Sequence, residues 1–196
     1  MAKHKKKKHS VKKAEVKKKF NIKEYLPIVA IIAAAALLVG GILLFDSLTT
    51  KETTPIVYTD ATVYFLDDAN QFAAENVRVD SSNIYKGVVE ALVKGPANTN
   101  LKKVVTGDVK VLSAKTKDGL CTVDLSKEFG TSNSNDVAKE AYAVYAIVNS
   151  LCMLPDVEKV KINVDGDTKY NLGHVKLDNT FEADWNMVRY EDRPQH

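Results

Sequence analysis

The sequence predicts an α+β protein: an N-terminal transmembrane helix, then a two-layer domain with two helices on one face of a mixed β-sheet. Three observations carry this. Residues 26–45 form an uncharged apolar run, two capped amphipathic segments lie at 81–96 and 134–151, and alternating runs flank Asp118-Gly119 and occupy 157–164. Strands interleaved with helices in the order strand, helix, hairpin, helix, strand suit two packed layers.

The N-terminal elements follow from charge and hydropathy. Residues 1–25 hold eleven lysines against Glu15 and Glu24, a net +9, while 17 basic and 23 acidic residues beyond them give −6. From Leu26 to Phe45 no charge interrupts the chain, and at about 1.5 Å per residue the run covers roughly 30 Å, the hydrocarbon thickness of a bilayer. Ile28 to Phe45 offers no polar face for a core helix, and no small-x-small site for signal cleavage follows Phe45. Lys12, Lys13, Lys17, Lys18, Lys19 and Lys23 precede the run and only Lys51 follows it closely, so the positive-inside bias keeps the N-terminus cytoplasmic and exports 46–196. The expected location is therefore the cell membrane, single-pass, with the C-terminal domain extracytoplasmic. The lysine tail has no arginine and no aromatic before Phe20, so it carries charge without readout of bases: no specific nucleic acid is expected, and anionic lipid headgroups are its expected partner.

Beyond the span, 46–59 is polar and threonine-rich and reads as a stalk. A domain is expected over 60–188 and a disordered C-terminus over 189–196. "ATVYFLD" (61–67) predicts the first strand and "NVRVD" (76–80) a short second one. The first helix is capped by Ser81 or Ser82, carries Tyr85, Val88, Val89 and Leu92 at i, i+3, i+4, i+7, and ends at Gly95-Pro96. "VKVLSAKTKDGLCTVDL" predicts a hairpin turning at Asp118-Gly119, since both residues accept positive φ. Along its second strand Cys121, Val123 and Leu125 fall on the core face and Leu120, Thr122 and Asp124 on the other. Ser126 is placed to cap the turn toward Phe129. The second helix is capped between Ser134 and Asp136, with Val137, Ala141, Val144, Tyr145, Val148 and Leu151 as its apolar stripe. Val160, Ile162 and Val164 alternate in a further strand, Asp165-Gly166-Asp167 forms a turn, and 172–188 supplies a last short strand with Phe181 and Trp185 packed on the body.

Little of this reads as catalytic machinery. Cys121 and Asp124 point to opposite faces of one strand and cannot form a dyad, and His174 and His196 are the only histidines beyond the span. The turn at 165–167 lacks the carboxylates and closing glutamate of a calcium loop. No catalytic, cofactor-binding or metal residue is singled out, no cofactor is expected, and the protein is expected not to be an enzyme. Two cysteines are too few for a disulfide scaffold. Flanked by apolar residues, Cys121 and Cys152 read as small buried thiols, with one bridge between them as the alternative.

"ALVKGP" (91–96), "VKVLSAKTKDGLCTVDLSKEF" (109–129), "AIVNSL" (146–151), "VEKVKINVDG" (157–166) and "LGHVKLDNTFEADWN" (172–186) resemble, in this order, the successive blocks of the GerMN, or germane, domain. The resemblance covers most of 60–188, in one copy and behind a transmembrane rather than a lipid anchor. It implies an extracytoplasmic module linked to sporulation and germination, a fold similar to ring-building motifs of membrane-spanning assemblies, and no catalytic residues. The function expected from residues and resemblance together is a non-enzymatic, membrane-anchored module that binds an envelope protein partner or peptidoglycan. The alternatives are an accessory of an exported enzyme acting on the cell wall, and an envelope signal transducer.

Overall fold

The computed structural model describes residues 55–195, together with Pro27, Ala30, Ile31, Ala33 and Ala34, which are helical. The lysine tail, most of the predicted span and positions 46–54 of the predicted stalk lie outside the described residues. No helix among the described residues is long and apolar enough to cross a membrane. The chain divides into two units, Met1–Thr54 and Pro55–His196.

The second unit begins with an antiparallel hairpin of β1 (Tyr58–Leu66) and β2 (Phe72–Asp80), in register from Tyr58↔Asp80 to Leu66↔Phe72. Both strands outrun the sequence expectation. Tyr58 and Thr59, read as stalk, belong to β1, and β2 extends back through Ala73, Ala74 and Glu75, residues of weak strand propensity held by pairing with β1. The connecting loop closes on Asp67, whose Oδ1 accepts from the amides of Ala69 and Gln71, both at 2.9 Å.

Helix α1 (Ile84–Lys94) follows a 3₁₀ turn over Ser81–Asn83. Its cap is Asn83, which accepts from the Lys86 amide at 3.0 Å, and neither Ser81 nor Ser82 serves, because the turn has already claimed them. Val88, Val89 and Leu92 are buried as expected, and Gly95 ends the helix with its N–H on the Ala91 carbonyl. Gly87 lets α1 lie directly on β2: a Cβ there would stand 2.7 Å from the Val79 Cβ. Gly87→Ala gains about 1 kcal/mol of helix propensity, while forcing the contact open costs about 1–3 kcal/mol. The expected net result is a loss of roughly 1 kcal/mol in urea unfolding, and a stabilised variant would show that helix and strand can part freely.

The mixed sheet comprises β3 (Val111–Lys117), β4 (Leu120–Leu125) and β5 (Lys159–Val164), with β3 antiparallel and β5 parallel to β4. The turn stands at Asp118 (φ 50°) and Gly119 (φ 78°), as expected. Cys121, Val123 and Leu125 are buried, as are Val160, Ile162 and Val164, so both predicted strand phases are correct. Between β4 and β5 run the short α2 (Glu128–Ser132) and α3 (Val137–Leu151), the latter capped by Asp136 accepting from the Lys139 amide at 2.9 Å. Both long helices bridge the sheets: α1 packs on β1, β2 and β3, and α3 on α1, β1 and β5.

Four further features differ from expectation. The strands make two sheets, not one, and the outer edge of β1 is claimed by other groups. The Tyr64 amide of β1 donates to Ser150 Oγ of α3 at 2.9 Å, and the Leu66 carbonyl accepts from the Lys102 amide at 2.7 Å. The α3 stripe is correct at Val144, Val148 and Leu151, but Val137 is 60% exposed, and Glu140, Ala143 and Ile147 are buried beside it. No last strand forms over 172–188, only isolated bridges such as Val160↔Phe181, though Phe181 and Trp185 do pack edge-on against Tyr145 and Tyr64. Finally, the expected disordered end contains a 3₁₀ turn over Tyr190–Asp192, fixed by Tyr64 Oη donating to the Asp192 carbonyl and by the Arg189–Asp192 pair.

Candidate functional site

The reactive side chains of 115–129 are dispersed by the fold. Cys121 is fully buried, and burial pushes its thiol up. Cys152 is half-buried, raised to about 11 by burial, and its Sγ lies 3.7 Å from the Glu158 carbonyl oxygen. Both are free thiols. Asp124 turns to the opposite face, where its Oδ1 accepts from the Gly166 amide at 3.0 Å. Ser126 caps no helix; its Oγ accepts from the Lys110 amide at 3.0 Å. Among the described residues, no group of three or more His, Cys, Asp or Glu could hold a metal ion.

The titratable group that sequence reasoning missed is Glu140, with no exposed surface. Its Oε1 accepts from the Asn135 amide at 2.8 Å and lies 3.0 Å from His174 Nδ1. Its Oε2 accepts from the amides of His174 and Val175, both at 2.7 Å. Burial alone would raise this carboxyl, but the backbone bonds from Val175, His174 and Asn135 and the His174 ring outweigh it, holding the group at about 2. The arrangement fixes the 171–176 loop to the start of α3 and leaves no oxygen free for chemistry. A signal was present in the sequence: Glu140 precedes Val144 and Ile147 by four and seven positions, a charge inside an apolar stripe.

The open feature is a groove of about 560 Å³ between β2 and α1. Every residue of β2 from Glu75 to Asp80 lines it on one side, and Gly87, Glu90, Ala91 and Lys94 of α1 line it on the other, a single helical face. It runs from Ala97, whose amide donates to Glu75 Oε1 at 2.9 Å, to Tyr58, paired with Asp80. Two smaller depressions lie elsewhere, one of about 430 Å³ around Asp67, Asp68 and Arg189, and one of about 310 Å³ around Asp60, Met153 and Pro155.

Comparison with known proteins now gives the lineage. No curated protein matches the chain. Among solved structures, a candidate lipoprotein from Clostridium perfringens is 26% identical with a TM-score of 0.47, over 64% of this chain and 87% of that one. The tandem GerMN domains of the sporulation protein GerM from Bacillus subtilis are 25% identical with a TM-score of 0.49, over 61% of this chain and 43% of that longer one. The first GerMN domain of the same protein is 20% identical with a TM-score of 0.52, over 60% and 92%, and it shows a shared fold. The profile of the Germane family, described as sporulation and spore germination, matches residues 62–170 in a single copy, from mid-β1 to just past the turn after β5. That span exceeds half the chain, and the protein belongs to the Germane family.

Proposed function

We propose that this protein is a membrane-anchored, extracytoplasmic binding module with a role in sporulation or germination, holding a protein partner or the cell wall without turning over a substrate. The observation that carries the reading is the groove between β2 and α1: an extended, open surface walled by the strand from Glu75 to Asp80 and by Gly87, Glu90, Ala91 and Lys94 of the helix. Its form suits a polymer laid along it, and two of its carboxylates are already held by backbone amides, Glu75 by Ala97 and Asn98 and Asp80 by Ser82. Supporting it, several reactive side chains among the described residues are engaged in structure. Glu140 holds a loop, Ser126 and Asp124 tie backbone amides, and Cys121 is core. Anchoring is assigned to residues 26–45, with the lysine tail at the cytoplasmic face, against anionic headgroups.

Purified full-length protein incubated with peptidoglycan is expected to release no fragments, while protease added to intact protoplasts digests everything beyond residue 46. Measurable turnover that one polar substitution abolishes would overturn the non-enzymatic reading. Protection of the domain in protoplasts would overturn the topology.

A further inference from the structure

The backbone gives the groove its chemistry. Ladder bonds between β1 and β2 extend to the Ser81 amide on the Val57 carbonyl, so odd-numbered residues face the partner strand and even-numbered ones point away. The far end of this outer edge is already covered in strand fashion. The Arg189 amide donates to the Phe72 carbonyl at 2.9 Å, where Phe72 and Val188 form a parallel bridge, and the Ala74 amide donates to Asp192 Oδ2 at 3.3 Å. The next outward groups along the same edge, the amides and carbonyls of Asn76 and Arg78, face the groove and have no partner among the described residues. A row of unpaired strand groups is a template for another extended backbone.

We propose that the groove takes an uncharged, extended segment of a partner polypeptide, which adds to β2 at Asn76–Arg78 as a further strand. The inference rests on the binding-module reading above and names the class of its ligand. The rim charges decide against a charged occupant. Arg78 and Lys94 are balanced by Asp80 and Glu90, and the Glu75 carboxylate already accepts from the amides of Ala97 and Asn98. A polyanion or an anionic lipid surface would need one sign of charge, and a helix would leave the strand groups unsatisfied. Val77, half-buried between strand and helix, together with Ala91 and Pro96, receives an apolar side chain at alternate positions of the incoming segment. The segment extends the edge that the 187–192 stretch already occupies.

The test is a short-peptide display library panned against the full-length chain in detergent, with the selected peptides resynthesised and titrated by fluorescence anisotropy. The expected binders are uncharged, with apolar residues at alternate positions, and lose about tenfold in affinity against Arg78→Pro, which removes one edge donor. The Arg78 amide points away from β1, so that variant keeps the hairpin ladder, which circular dichroism checks. Arg78→Ala, with the backbone donor intact, binds within about twofold of the parent. Binders N-methylated at alternate amides lose affinity by the same order on the unaltered protein, which keeps the test decisive should Arg78→Pro fail to fold. Affinity changes little between low and high salt. No binder, or binders indifferent to N-methylation and to a folded Arg78→Pro, overturns the inference. Binders that act elsewhere leave the binding-module reading intact, since that reading falls only to turnover.

Discussion

Glu140→Gln is expected to unfold the domain more readily than any surface substitution, by about 3 kcal/mol or more. Both carboxylate oxygens face donors only: the Asn135 amide and the His174 ring on one, the His174 and Val175 amides on the other. An amide side chain must turn its NH₂ against one of these pairs, and each buried donor left without an acceptor costs about 1–3 kcal/mol. The sum is comparable with the stability of a domain of this size. The same carboxyl gives the pH dependence its sign. Its folded value is about 2, below the ordinary 4.5, so its contribution is fully present above about pH 4.5 and is lost as pH falls toward 2. Urea titrations at several pH values should show the parent losing stability through that window, and Glu140→Gln losing less. A variant within about 0.5 kcal/mol of the parent at neutral pH would show that the 171–176 loop is not held by Glu140.

Val123→Asp is the second large effect. Val123 has no exposed surface, and a carboxylate there must either remain charged in an apolar core or take up a proton, at a cost of several kcal/mol in either case. Its neighbour offers the control. Asp124 faces the other way and holds the Gly166 amide through Oδ1. The side-chain carbonyl of an asparagine accepts the same bond, so Asp124→Asn should stay within about 1 kcal/mol of the parent. Thermal unfolding followed by circular dichroism separates the two. An unfolded Asp124→Asn beside a folded Val123→Asp would reverse the strand phase.

The contrast between these sites shows where the sequence was legible. Local rules located Asp118-Gly119, a helix cap within 134–136, and the alternation of 120–125 and 160–164, because each depends on neighbours within a few residues. Features that depend on distant partners were not legible. The start of β2 at Phe72 needs β1, the division into two sheets needs Ser150 and Lys102 against the outer edge of β1, and the burial of Glu140 needs a loop 34 positions away. The groove was out of reach for the same reason. Its walls include the strand read at 76–80 and the helix read within 81–96, but the free edge between them appears only once the C-terminal stretch is seen to stop at Ala74. The resemblance supplied the family and, beyond it, no site residue.

The bond between Tyr64 Oη and the Asp192 carbonyl joins positions 128 apart at 2.9 Å. Synthesis releases β1 and β2 early, and this hairpin can pair by itself. Its covering cannot close until residue 192 has left the ribosome, and on any route across a bilayer, until that residue has followed. Pairings between such distant positions also slow folding, because the intervening chain must be ordered first. The nascent chain therefore passes through an interval in which the outer edge of β2 lies bare along its whole length, Phe72 to Asp80. That interval leaves the edge open to a chaperone, and a delay in completing residues 187–192 lengthens it.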